Sequence, residues 1–297
     1  DWSSDVCSSD LPTKSLLYYT SVMNLAKFFG KKLVMYANGI GPVSKAKNRK
    51  RVRKAVEKAD LITLRDARSA EELRAMGVTG KTLHITADPV FAYQGADRYR
   101  EEAQASRLLE DAGLPGFKKF VGVSVRDWET LDPEFAEKIA ELCDYIHQNS
   151  GLEIVFIIMQ TSKDRDLSEQ IRGKMKARSW MIEFDKDIDR LLGITGSAQF
   201  ILCMRLHTLI FAARMGVPTL GLVYDPKVRE YLSMMNLPSA GEVTDLDMAA
   251  ARQAVDVMLG RLEDYKSDLL VQSRKLRAEA EKNNVLLKEF FERIQVW

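Results

Sequence analysis

Met204-Arg205-Leu206-His207-Thr208-Leu209-Ile210-Phe211-Ala212-Ala213-Arg214-Met215-Gly216-Val217-Pro218 runs on into Thr219-Leu220-Gly221-Leu222-Val223-Tyr224-Asp225-Pro226-Lys227, and this stretch decides the fold. Ile201 to Met204 is short and apolar, which reads as a buried strand. Thr208 to Met215 reads as a helix stopped by Gly216 and Pro218. Leu220 to Val223 is the next strand, with Lys227 beyond its C-terminal end. Strand, helix and strand so closely joined predict a parallel α/β sheet. Arg205 and His207 then sit where a strand hands over to a helix N-terminus. Backbone N–H groups and the helix dipole favour an anion there. Ligands of open α/β sheets collect beyond the carboxyl ends of the strands. Two permanent cations and one titratable imidazole therefore stand at anion-binding positions.

The same alternation extends in both directions. Upstream, Ser15 to Phe29 reads as a helix, Lys32 to Tyr36 as a strand and Ser44 to Ala59 as a long basic helix. Leu61 to Leu64 is a short strand, Asp66 to Met76 a helix with Gly77 behind it, and Leu83 to Ile85 a further strand. Gly95 to Gly116 is polar and helical, with Gly113, Pro115 and Gly116 as breakers, and reads as the connection between two domains. The alternation restarts at Phe120 to Val125. A helix (133–148), a strand (153–159), a helix (164–177), a strand (180–184) and a helix (188–193) follow. Two helices, 249–259 and 262–294, end the chain. The expected architecture is two Rossmann-like α/β domains, 12–110 and 111–297.

Composition narrows the function. The 297 residues are 46% hydrophobic and 29% charged, as in a globular protein, with a formal net charge of only +2. No nucleic-acid partner is expected at that charge. Cys7, Cys143 and Cys203 lie far apart, and only three histidines accompany them. That spacing excludes a Cys/His zinc site from the expectation, and no other metal is expected. Few cysteines and the lack of a signal peptide point to the cytoplasm. Residues 1–11, Asp1-Trp2-Ser3-Ser4-Asp5-Val6-Cys7-Ser8-Ser9-Asp10-Leu11, show no apolar period and look like a translated sequencing adapter. They are expected to contribute nothing to the fold.

Five segments, taken in order, resemble the polysaccharide pyruvyl transferase family, above all its bacterial secondary-cell-wall branch. They are Tyr36-Ala37-Asn38-Gly39-Ile40-Gly41-Pro42-Val43, Thr63-Leu64-Arg65-Asp66-Ala67-Arg68-Ser69, Ala87-Asp88-Pro89-Val90-Phe91, Arg205-Leu206-His207 and Tyr224-Asp225-Pro226-Lys227-Val228. The resemblance implies a fold like that of GT-B glycosyltransferases, with a cleft between the two halves. It implies transfer of pyruvyl from phosphoenolpyruvate to two hydroxyls of a sugar, as a cyclic ketal. The implied acceptor is a lipid-linked saccharide with N-acetylmannosamine, met at the inner face of the plasma membrane. Members usually begin with a strand and a glycine-rich loop bearing an acidic residue, the proposed general base. Neither is present here, so the first domain is expected to be incomplete.

Phosphoenolpyruvate carries a carboxylate and a phosphate, and Arg suits both through paired contacts. Arg205 and Lys227 are the expected donor ligands, with Arg126 as a third. His207 is the expected general acid or phosphate ligand, since imidazole titrates near neutral pH. Arg205 is grouped with it as catalytic. Asn38, Arg65 and Asp88 are the acceptor-side candidates. Plainer readings stand beside some of them: His207 as a packed histidine, Lys227 as a solvated turn residue and Asp88 as a turn former. His84 and His147 are assigned to structure or surface. The basic run from Lys45 to Lys58 reads as a solvated helix face, with anionic lipid or a pyrophosphate-linked acceptor as the alternative. The chemistry calls for no cofactor. Two competing functions remain open: a sugar-nucleotide glycosyltransferase of the same architecture, and a non-catalytic anion-binding fragment.

Overall fold

The computed structural model describes residues 13–100, 102–114, 119–184 and 186–294. Residues 1–11, expected to be foreign to the fold, lie outside the described residues. The chain divides into two compact units. The first runs to Tyr93 and takes the chain again from Arg274; the second holds Gln94 to Ser273.

The first unit contains α1 (Thr13–Phe28), β1 (Val34–Asn38), α2 (Ala46–Val56), β2 (Leu61–Leu64), α3 (Ala67–Ala75) and β3 (His84–Ile85). The strands form a parallel sheet in the order β1-β2-β3. Met35, Ile62 and Leu64 pack with Leu16, Met23, Val52, Val56 and Leu73 in one core. The basic run lies mainly on the outer side of α2. Lys47, Lys50, Arg53 and Lys54 are exposed while Val52, Ala55 and Val56 are buried. The basic side of α2 is the exposed one, as an amphipathic helix requires.

The second unit contains α4 (Glu102–Asp111), β4 (Phe120–Ser124), α5 (Phe135–Ser150), β5 (Glu153–Ile158), α6 (Thr161–Lys174), β6 (Ser179–Glu183), α7 (Ile188–Ser197), β7 (Phe200–Cys203), α8 (Leu206–Met215), β8 (Thr219–Val223), α9 (Pro226–Met234), β9 (Ser239–Glu242) and α10 (Met248–Gly260). The strands are all parallel in the order β6-β5-β4-β7-β8-β9. Every residue of β4, β7 and β8 is buried. Helices cover both faces of such a sheet, which is why these strands read as continuous apolar runs. The last helix, α11 (Leu262–Ile294), is shared, since the division falls inside it at Ser273/Arg274. In the first unit, its Asn283 is fully buried. The Asn283 amide donates to the carbonyls of Ala87 and Ala280 at 3.1 and 3.0 Å, and its Oδ1 accepts from Thr86 Oγ1 at 2.9 Å.

Two expectations change. The sequence places the division at 110/111, but the chain divides between Tyr93 and Gln94, and residues from Arg274 return to the first unit. Packing is the cause. Gly193 of α7 faces Tyr99 and Leu108 so closely that an added Cβ would stand 2.6 and 2.4 Å from them. Asp97 pairs with buried Arg214 of α8 at 2.7 Å. The segment read as a connection is therefore docked on the second unit. The strand β9 and helix α9 were also not anticipated. Ser239-Ala240-Gly241-Glu242 has no apolar alternation, and it forms a strand by pairing with β8.

An exposed helical Gly→Ala change gains about 1 kcal/mol from propensity. Gly193→Ala is expected to destabilise instead, by roughly 1–3 kcal/mol, because the methyl group overpacks the contact. Urea unfolding measures the sign, and a stabilised variant would contradict this docking.

Candidate active site

Counted within the second unit, its strand order is 3-2-1-4-5-6, and β4 and β7 flank the point where the winding reverses. Chains leaving neighbouring β4 and β7 turn to opposite faces, which opens a crevice outside their carboxyl ends. Arg126 follows β4, while Arg205 and His207 follow β7. Lys227 follows β8, the next strand. All four expected donor-site residues thus leave one edge of one sheet.

Arg205 is the N-cap of α8 and has extended backbone angles. Its guanidinium is buried and meets Asp164 of α6, a side chain with no exposed surface. Arg205 Nε donates to Asp164 Oδ1 at 2.9 Å, and Nη2 donates to the same oxygen. Arg205 Nη2 also donates to Gln160 Oε1 at 3.2 Å. Asp164 Oδ2 accepts from the backbone N–H groups of Met159 and Gln160 at 3.0 and 2.8 Å. Burial pushes the Asp164 carboxyl above its ordinary value, and Arg205 works against that push. The start of α8 is fixed to the end of β4 by a 2.9 Å hydrogen bond between the Ser124 and Thr208 hydroxyls. His207, in the first turn of α8, is half-buried, with its ring 6.0 Å from that of Phe211.

Arg126 is 5% exposed, and its Nε is buried without a hydrogen-bond partner. An unanswered buried donor is costly, so such a group points to a ligand or an ordered water. The Arg126 guanidinium lies 5.4 Å from the Trp128 ring centre and 6.0 Å from that of Tyr224. Those two rings meet edge to face at 4.7 Å. The loop carrying Arg126 and Trp128 is pinned at Asp132, which is drawn below the usual carboxylate range by Lys138 and the Glu134 N–H. Lys227 is half-buried in the first turn of α9. The cap of that helix is Asp225, which accepts from the Lys227 N–H at 2.8 Å.

The acceptor-side candidates also gather at one sheet edge, in the first unit. Asn38 ends β1, Arg65 follows β2 and Asp88 lies beyond β3. Arg65 N–H donates to the Asn38 carbonyl at 3.3 Å, and Arg65 Nη1 to Asp88 Oδ2 at 3.4 Å. Asp88 also accepts from the Val90 N–H, so its turn-forming role is real. Gly39 has a packing reason: a Cβ there would stand 2.6 Å from Arg65 Nε.

The sequence pattern of the polysaccharide pyruvyl transferases matches residues 6–226, well over half of the chain. The chain belongs to the polysaccharide pyruvyl transferase family. No curated protein matches it. Among solved structures, HepE of Anabaena in complex with UDP-glucose is similar at a TM-score of 0.56 and 12% identity, over 96% of this chain and 77% of that one. The UDP-GlcNAc 2-epimerase of Neisseria meningitidis bound to UDP-GlcNAc gives 0.65 and 10%, over 91% and 73%. A glycosyltransferase from Rickettsia africae gives 0.53 and 11%, over 95% and 82%. At these identities the likeness is one of fold, and it makes the α/β architecture GT-B-like as expected.

Asp164, Gln160, Trp128 and Asp132 were not singled out in the sequence. Asp164 stands in the polar run Thr161-Ser162-Lys163-Asp164-Arg165-Asp166, which reads as a solvated helix start. The usable signal was indirect, since an Arg at a buried strand exit needs a carboxylate somewhere. Cys203 is no nucleophile. It is fully buried, its thiol donates to the Arg205 carbonyl at 3.1 Å, and burial pushes its pKa up to about 12. Cys143 is likewise buried and pushed up. Iodoacetamide at mildly alkaline pH should therefore spare both in the folded chain and alkylate both in denaturant. Mass spectrometry reads the outcome, and alkylation of native Cys203 would contradict the burial of this strand exit.

Proposed function

We propose that this pyruvyl transferase takes phosphoenolpyruvate as donor and forms a cyclic ketal on a sugar of a lipid-linked cell-wall polysaccharide precursor, with N-acetylmannosamine as the acceptor sugar. The observation that carries the donor assignment is the convergence of Arg126, Arg205, His207 and Lys227 on one carboxyl edge, with an orphaned guanidinium N–H among them. Arg126 and Lys227 suit the carboxylate and phosphate of the donor. Arg205 holds the floor of the same site. His207 delivers a proton to the methylene carbon or to the departing phosphate. Protonation of the methylene carbon makes C2 electrophilic, and one sugar hydroxyl adds there and gives up its proton. The C2–O bond to phosphate then breaks, and the second hydroxyl closes the ring with loss of its proton. Asn38, Arg65 and Asp88 serve the acceptor in this reading. The exposed lysines of α2 suit peripheral contact with anionic lipid at the inner face of the plasma membrane.

A sugar nucleotide is the competing donor, because HepE and the Neisseria epimerase were solved with UDP-glucose and UDP-GlcNAc. Substitutions separate the roles. Lys227→Ala should weaken donor binding by roughly 1.5–3 kcal/mol, the worth of a charged hydrogen bond. His207→Ala should lower turnover about 10²–10⁴-fold and leave much of the donor affinity. Ketal formation on a lipid-linked or synthetic N-acetylmannosamine acceptor gives turnover, and calorimetry gives affinity. Near-normal turnover in His207→Ala removes it from the mechanism. Turnover of a sugar nucleotide with no use of phosphoenolpyruvate replaces the donor reading with the glycosyltransferase.

A further inference from the structure

We infer that Asp164 is a positioning residue for the donor site: it fixes the plane of the Arg205 guanidinium from across the sheet. The inference rests on the donor reading above. In the sheet, β5 and β7 lie on either side of β4. Asp164 and Gln160 follow β5, and Arg205 follows β7. Their contact therefore bridges the exit of β4, where Arg126 emerges.

The two carboxylate oxygens divide the work. Oδ2 is held by the Met159 and Gln160 N–H groups at 3.0 and 2.8 Å, at the junction of β5 and α6. Oδ1 holds Arg205 through Nε at 2.9 Å and through Nη2. Two donors of one planar group on one fixed oxygen leave the guanidinium little freedom to rotate. Gln160 Oε1 adds a second acceptor for Nη2 at 3.2 Å. An element distant in sequence thus holds the Arg205 guanidinium.

The pair also sets the charge of the site. Asp164 matches the charge of Arg205, while Arg126 and Lys227 supply positive charge for the donor. A purely structural carboxylate would have a different signature: its loss would lower stability without changing the donor affinity of molecules that still fold.

The test is a double-mutant cycle on the full chain, with phosphoenolpyruvate as the probe in calorimetry and a thermal melt for each variant. Asp164→Asn keeps the shape and removes the charge, and it should weaken binding about tenfold, within the range of directly coupled pairs. In an Arg205→Met background the same change should have no further effect. Wild-type affinity in folded Asp164→Asn overturns the inference, and so do two effects that simply multiply. Should Asp164→Asn fail to fold, Gln160→Met decides: it removes only the second acceptor, and a several-fold loss is expected where an unchanged affinity overturns. Failure of the unaltered chain to bind phosphoenolpyruvate overturns the donor reading and this inference with it. A loss of positioning alone leaves wild-type binding intact.

Discussion

A guanidinium buried at the exit of β7 has to be answered by negative charge, and the carboxylate of Asp164 answers it. Removing one partner of such a pair leaves a buried charge uncompensated, at a cost of about 3–5 kcal/mol. The contact joins α6 to the start of α8, so two strand exits on either side of β4 are held together. The Ser124–Thr208 hydrogen bond joins the third exit to them. The carboxyl edge of the sheet is thereby a rigid frame, and His207 stands in the first turn of a helix fixed at its base.

That frame explains the division of labour among the cations. Arg205 is paired within the protein, whereas Arg126 keeps a buried Nε with no partner. The sequence ranks them the other way, with Arg205 first and Arg126 as an auxiliary. The aromatic rings of Trp128 and Tyr224 shield one side of Arg126 from water. In such surroundings an anion gains more from the guanidinium than it would in bulk solvent.

Strand exits are local features, and for that reason they were legible in the sequence. Arg205, His207 and Lys227 each follow an apolar run that can only be a buried strand, so their shared edge followed from α/β alternation alone. The bounds of β2, Leu61–Leu64, and of α11, Leu262–Ile294, agree with the sequence reading because breakers and polar caps mark them. Pairings across the sheet were not legible. Asp164 lies 41 residues from Arg205, inside a run that looks solvated, and only the strand order brings them together. The strand β9 was hidden for a related reason, because its residues carry no strand preference and take the form that β8 offers them. The docking of Gly95 to Asp111 was missed because a polar helical segment looks like a linker until its few apolar contacts, Tyr99 and Leu108, are seen against Gly193.

A crystal structure of the chain soaked with phosphoenolpyruvate decides whether the donor occupies the reversal point between β4 and β7, as proposed. The expected result is one of the donor's acidic groups within hydrogen-bond reach of Arg126 Nε and the other beside His207 and Lys227. Phosphoenolpyruvate bound instead at Arg65 and Asp88, or an edge that stays empty of it and fills with a UDP-sugar, would contradict that placement.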